Sequence, residues 1–259
     1  GLYPTIGKEF HLLPNVSIQY PFDKKKANFE LAWQTNMRLN TFKQLSTLNP
    51  FIFNHYQVKQ SKNTEVFGSL KGNLLNNLSY SVRSGIGIYT NLPLFLNDTA
   101  FDNKQFNIIF EDRASAFIFD ATVDYTINSE MMAGAKLNLR PIFDLETNKE
   151  AWHYIPSTFD IYGKIRATKE MVLRADLFLI SGSKAIERNV LIANPYTRSS
   201  SMGIDMNISA RYQISKTWNA NIDLNNLFGS NYERWYGYPM YGTNVQVSLI
   251  HSFRGFKLD

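Results

Sequence analysis

Apolar and polar residues alternate one by one along most of this chain, over stretches longer than the strands of ordinary globular proteins. Between 201 and 214, Met202, Ile204, Met206, Ile208, Ala210, Tyr212 and Ile214 fall on one face. Ser201, Gly203, Asp205, Asn207, Ser209, Arg211 and Gln213 fall on the other. A period of two is the repeat of an extended strand, whose successive side chains point to opposite sides. The following segment sets Trp218, Ala220, Ile222 and Leu224 against Asn219, Asn221, Asp223 and Asn225. Upstream, Phe117, Phe119, Ala121, Val123 and Tyr125 oppose Asp120, Thr122, Asp124 and Thr126. The same split predicts strands over 8–22, 27–39, 62–73, 77–91, 104–127, 131–144, 156–167, 170–182, 200–214, 217–228 and 243–253. The segment 104–127 is too long for one regular strand. Its apolar side sits at even numbers (Phe106, Ile108, Phe110) and then at odd ones (Phe117, Phe119). A bulge around 111–116, or a hairpin there, accounts for the switch. In 62–73, Gly68 and Gly72 dilute the apolar face.

Alternation leaves open what the apolar face touches: a second sheet in a soluble sandwich, or lipid in an outer-membrane barrel. Three observations favour lipid. First, connections alternate between short (23–26, 74–76, 128–130, 168–169, 215–216) and long (40–61, 92–103, 145–155, 183–199, 229–242). An up-and-down barrel has short turns at one end and long loops at the other. Second, the predicted strands nearly all exceed the ordinary five or six residues and reach the roughly 9–11 needed to cross a bilayer at a tilt. Third, the apolar faces of the strands just quoted carry no Asp, Glu, Lys or Arg, whereas opposite faces elsewhere hold Asp160 with Lys164 and Arg166, and Arg174 with Asp176. A cation at mid-bilayer on a barrel costs about 2–4 kcal/mol.

Composition narrows the alternatives. The chain has 259 residues, 14% of them aromatic, and no cysteine. That excludes disulfides, thiolate metal sites and a cysteine nucleophile. No apolar run approaches the roughly 18 residues of a membrane helix. The net charge is 27 − 22 = +5, and the charges are scattered. The one dense cluster, Lys24 to Lys26, reads as a turn, so no nucleic-acid footprint is expected.

The last strand sets Val245, Val247, Leu249 and Phe253 against Asn244, Gln246, Ser248 and Ser252. A terminal amphipathic strand closing on an aromatic residue resembles the signal read by the outer-membrane insertion machinery. Before it, Asn225-Asn226-Leu227-Phe228, Tyr232, Gly237-Tyr238-Pro239 and Gly242 resemble the end of TonB-dependent outer-membrane receptors. That family often has an Arg after the last glycine, where this chain has Thr243. Near the start, Leu48-Asn49-Pro50-Phe51 is similar to a motif of such receptors from Bacteroidota-type bacteria. The resemblance implies an all-β fold, a transmembrane antiparallel up-and-down β-barrel of 22 strands with a plugged lumen. With about eleven strands predicted, residues 1–259 are expected to be the C-terminal half of that barrel, without the plug domain. It also implies outer-membrane lipid around the barrel, a TonB-type energy-transducing partner acting through a region outside this chain, and a small-molecule nutrient as ligand. The nutrient classes are siderophore, cofactor and glycan, and a lipoprotein partner is a further option.

No catalytic or metal-ligating pattern competes with this reading, and neither an enzyme nor a cofactor is expected. Of His11, His55, His153 and His251, His55 and His153 have no carboxylate and serine at a recognisable spacing, His251 reads as an interfacial polar tip, and His153 between Trp152 and Tyr154 reads as a belt or loop contact. The candidate ligand-binding residues are Tyr232, Arg234, Trp235, Tyr236 and Tyr238 in the loop 229–242. Aromatic faces stack on sugars or flat chelates, and Arg pairs with anions. At least half of that loop's aromatic residues also suit the outer girdle that anchors a barrel at the headgroups. Lys184, Glu187, Arg188, Tyr196 and Arg198 are a second set near the mouth. The rival functions are a non-transport barrel serving as subunit or scaffold of an outer-membrane complex, and a soluble carbohydrate-binding β-sandwich.

Overall fold

The computed structural model describes residues 2–4, 10–22, 27–53, 57, 59–98, 104–187 and 196–253. Lys24 to Lys26, His55, Arg188 and the segment after Phe253 lie outside the described residues. Eleven strands follow one another in chain order, each antiparallel to the next and none crossing over. They are β1 (Asn15–Phe22), β2 (Ala27–Leu39), β3 (Gln60–Leu75), β4 (Leu78–Asn97), β5 (Phe106–Thr126), β6 (Met131–Leu139), β7 (Ser157–Arg166), β8 (Met171–Ile180), β9 (Gly203–Gln213), β10 (Trp218–Asn225) and β11 (Asn244–His251). A twelfth strand, Ile142–Leu145, pairs with the upper part of β5. The short turns all lie at one end of the sheet and the long connections at the other.

Directly paired residues of antiparallel strands share a face, so the register can be followed sideways through the sheet. Tyr20, Phe29, Leu70, Val82, Ala121, Leu137, Phe159, Leu179 and Ile204 form one unbroken row across β1 to β9. Leu78, Tyr125, Ala133, Gly163, Ala175, Ile208, Leu224 and Val245 form another across β4 to β11. The opposite face carries Gln19, Glu30, Ser69, Arg83, Asp120, Asn138 and Thr158 as a single row. Its members bond sideways: Gln19 and Ser69 both donate to Glu30 at 3.3 Å, and Asn138 donates to Thr158 at 3.0 Å. The fold is thus one sheet with a greasy side and a wet side.

Among the described residues no second layer covers the greasy side of these strands. Ile18 is 68% exposed and Val247 70%, values that a sandwich core would not leave. Exposed aromatic residues collect on this face beside the short turns: Tyr20, Tyr125, Tyr212 and Trp218. That is the placement of an interfacial girdle. Among the described residues, β1 and β11 each pair on one side only, so the sheet is an open section of a barrel.

The wet side holds its charges in matched sets. Arg140 pairs with Asp120 at 2.9 Å and Glu65 at 3.3 Å, and Arg83 pairs with the same two carboxylates. This network ties β3, β4, β5 and the segment after β6 together. Tyr162 donates to Asp124 across Gly134, where an added Cβ would come within 2.6 Å of the ring. Arg174 and Asp176 form the structural ion pair expected from their spacing.

The departures from the predicted strands have local causes. The span 8–22 breaks at Pro14, which has no N–H for the ladder, and Phe10–Leu12 pairs instead with Leu2–Pro4. The span 131–144 breaks at Pro141 for the same reason. The two spans around the Asn76–Asn77 turn run longer than predicted. The bulge expected at 111–116 is present between Ser115 and Ala116, but the extra residue is Phe143 on the neighbouring strand. The register of β5 against β4 is the same on both sides of it. The apolar switch has a different origin: Phe106 and Ile108 face a core above the barrel wall, whereas Phe117 faces outward.

The facing predicts opposite fates for two substitutions in β4. Val82→Arg puts a cation into the apolar row and should abolish insertion into outer membranes, at a cost of about 2–4 kcal/mol. Ser79→Arg, opposite Asp124 on the wet face, should leave the inserted amount unchanged, as read by heat-modifiable migration of membrane fractions.

Candidate functional site

At the long-connection end the strands rise above the apolar rows and carry an aromatic cap. Its core is Leu45, Phe95, Phe106, Ile108 and Trp235, with Phe51, Ile52, Phe110 and Tyr238 packed against it. Leu45 comes from a helix, Phe42–Leu48. The helix starts with a capping box: the Thr41 hydroxyl accepts the Gln44 N–H, and the Gln44 side chain accepts the Thr41 N–H. That Thr-x-x-Gln spacing was the signal for a helix inside the span 40–61, which strand periodicity does not detect.

The connection between β10 and β11 drops into this core as a small hairpin, Glu233–Trp235 against Tyr238–Pro239. Asn226 organises its base. It is buried, adopts a left-handed φ of 49°, and its side chain donates to the Ser230 and Tyr241 carbonyls at 3.1 and 2.8 Å. Gly237, at φ 78°, closes the hairpin turn. The Asn49 side chain accepts the Phe51 N–H at 3.0 Å and aims Phe51 flat against Tyr238, with ring centroids 3.5 Å apart. The Leu-Asn-Pro-Phe and Gly-Tyr-Pro motifs therefore meet in space.

Each predicted ligand-binding residue has a definite place. Tyr232 is buried, and its ring lies over Gly203, where a Cβ would come within 2.5 Å. Trp235 is buried edge-on to Phe95 at 5.1 Å. These two rings are spent on packing and do not contribute to a girdle. Tyr238 is stacked under Phe51 and donates to the Lys104 carbonyl. Tyr236 is half-buried, with the Arg198 guanidinium 5.3 Å from its ring centroid. Arg234 donates to the His153 carbonyl at 2.9 Å and lies 4.1 Å from the Trp235 ring centroid. No carboxylate pairs with it among the described residues, and burial pulls its pKa down to about 10. Of the mouth residues near 183–199, Lys184–Glu187 and Tyr196–Ser199 form a hairpin in which Arg198 pairs with Glu187.

His153 is the residue whose role the sequence underestimated. It is 2% exposed and left-handed at φ 54°. Its Nδ1 lies 2.6 Å from the Phe95 carbonyl and must donate to it; Nε2 then accepts the Tyr236 N–H. The second of these bonds needs the neutral ring. Burial lowers its pKa to about 4, the Phe95 carbonyl opposes that, and nearby Arg234 adds to it. Next to these groups is a hollow of about 280 Å³, lined by Arg38, Leu92, Phe95, Trp152, Tyr154 and Arg234 among others. It offers apolar and aromatic walls with two guanidinium groups. Among the described residues no cluster of three His, Asp or Glu side chains could hold a metal ion.

With this geometry in place, solved structures give the fold a context. The pyoverdine outer-membrane receptor FpvA of Pseudomonas aeruginosa overlays 98% of this chain at a TM-score of 0.66 and 15% identity. The copper transporter OprC overlays 95% at 0.65 and 11% identity. The ferric enterobactin receptor PfeA of Pseudomonas aeruginosa overlays 96% at 0.63 and 12% identity. The fold is that of the outer-membrane receptor barrel. This chain spans 38% of the FpvA chain and 41% of the other two, well under two thirds of their length. No family model matches the sequence, and no curated protein does.

The cap should respond to acid through His153. The unfolded ring takes up a proton near pH 6.5, and the folded one only near pH 4. Its contribution is therefore complete above pH 6.5 and is lost as pH falls towards 4, by an amount on the order of 3 kcal/mol. Hydrogen exchange of residues 226–243 should accelerate over that window relative to the strands. His153→Asn, which suits the left-handed backbone and keeps a donor towards Phe95, should remove the pH dependence.

Proposed function

We propose that this chain is the C-terminal half of the barrel of a TonB-dependent receptor in the outer membrane of a Gram-negative bacterium, and that it takes up a scarce nutrient. The observation that carries the reading is the single-layered sheet with one apolar face and one charged face, whose path follows receptor barrels named for siderophore binding and copper transport. The remaining strands join β1 and β11 and close the wall, because an open edge cannot face hydrocarbon. Energy comes from the inner membrane through a TonB-type partner that touches a part of the protein outside this chain.

The ligand binds at the capped end, at the hollow between Arg38 and Arg234. Arg234 is the residue assigned to ligand contact, with Tyr236 beside it and Tyr232, Trp235 and Tyr238 holding the platform in shape. A half-buried guanidinium without a carboxylate partner suits an anionic group, and the aromatic walls suit a flat one. An anionic chelate or an acidic cofactor fits better than a neutral glycan.

The test is native mass spectrometry of the full-length receptor purified from outer membranes. A small molecule should co-purify with the wild type. Arg234→Gln should weaken its binding at least tenfold while the inserted amount of protein stays the same. A protein that carries no small molecule, and an Arg234→Gln variant indistinguishable from it, would support the scaffold role instead.

A further inference from the structure

In one stretch of the wet face cations outnumber carboxylates. Near the turn at 167–170, Lys164 of β7 pairs directly with Arg174 of β8. Beside them Val172 sits between Arg166 on one strand and Arg211 on the other. Like charges placed opposite each other destabilise an antiparallel pair, so this grouping has a standing cost. Among the described residues Arg174 alone of the four has a counter-ion: its Nε and Nη2 donate to Asp176 at 2.7 and 2.8 Å. The side chains of Lys164, Arg166 and Arg211 make no ion pair or hydrogen bond among the described residues. The contrast is with the set higher on the same wall, where Arg83 and Arg140 are matched one for one by Glu65 and Asp120.

The four cations point into a shared space. With Ser209 and Asn221 they line a concavity of about 380 Å³ on the inner face. Three guanidinium groups in one hollow provide forked donors suited to paired oxygens, and the lysine adds a point charge.

We propose that this concavity is an anion-binding site at the short-turn end of the inner wall. It takes a group bearing several carboxylate or phosphate oxygens, held by Arg166, Arg211 and Lys164. The oxygens come either from acidic side chains of another segment of the same protein lying inside the barrel or from a diffusible polyanion. The site is separate from the capped end, where Arg234 lies. It depends on this face being the inner one, which the Val82→Arg and Ser79→Arg pair checks independently.

Two measurements on the full-length protein in non-ionic detergent decide it. In the first, inorganic pyrophosphate is titrated by calorimetry into wild type, Arg166→Gln/Arg211→Gln and Lys216→Gln. In the second, zero-length carbodiimide coupling is followed by mass spectrometry of peptides containing Lys164. Pyrophosphate binding that weakens at least tenfold in the double variant, and not in Lys216→Gln, establishes the site with a diffusible anion. Absence of pyrophosphate binding, together with a Lys164 link to an acidic residue outside 157–225, establishes it with a carboxylate of the protein itself. If neither result is obtained, or if pyrophosphate binds the double variant as well as the wild type and Lys164 forms no such link, the proposal is wrong.

Discussion

Hydrocarbon supplies no hydrogen-bond partner for a peptide group, and that constraint organises this molecule. Strands that cross a bilayer must pair with neighbours along their whole length, and each must turn an uncharged side outward. Every strand from β2 to β10 has a neighbour on both sides, and among the described residues β1 and β11 have one each. The sheet's outward rows run sideways through as many as nine strands without a charged residue. Small residues occupy part of one outward row, at Ala133, Gly163 and Ala175. Below the row of Met37, Lys62, Thr90 and Arg113, which lies at the long-connection end, charge is kept to the other face, where water and neighbouring side chains can satisfy it. The network of Arg83, Arg140, Glu65 and Asp120 is affordable only because it faces inward.

Above the bilayer the rule changes, and so does the architecture. There water is present on the outside, apolar groups turn inward, and the upper ends of β4 and β5 become one wall of an aromatic core. Few of the contacts in that core are local. Trp235 meets Phe95 and Phe106, and His153 joins two backbone segments through opposite edges of one ring. The cap is therefore a cooperative unit distinct from the ladder beneath it. Arg234 lies at its margin, where the packing leaves a hollow instead of a core.

The barrel section was legible in the sequence because two solvents enforce one period. Every residue from Gly203 to Gln213 has to answer to either lipid or water, so the alternation is nearly free of exceptions. Strand ends were misjudged where a single proline overrides the pattern, at Pro14 and Pro141. The cap was not legible in the same way. Tyr232 and Trp235 look like recognition residues in a loop sequence, since nothing nearby marks them as buried. Their partners lie on Gly203, Phe95 and Phe106, and only the assembled sheet brings those together. His153 was read as a loop contact, which it is, but its burial and fixed tautomer come from the Phe95 carbonyl and the Tyr236 amide. The unmatched cations around Lys164 escaped notice because each one looks ordinary within its own strand.

These 259 residues contain no cysteine, so a cysteine placed among them is a unique label within this part of the wall, and the central claim is directly measurable. Single cysteines from position 204 to 211 in the full-length protein, spin-labelled and reconstituted in lipid vesicles, report collisions with oxygen and with a water-soluble nickel chelate. Oxygen should dominate at 204, 206, 208 and 210, and nickel at 205, 207, 209 and 211, the two profiles running out of phase along β9. In-phase profiles, or low collision rates for both reagents at the even positions, would mean that this face is covered by protein and that the strands do not cross a membrane.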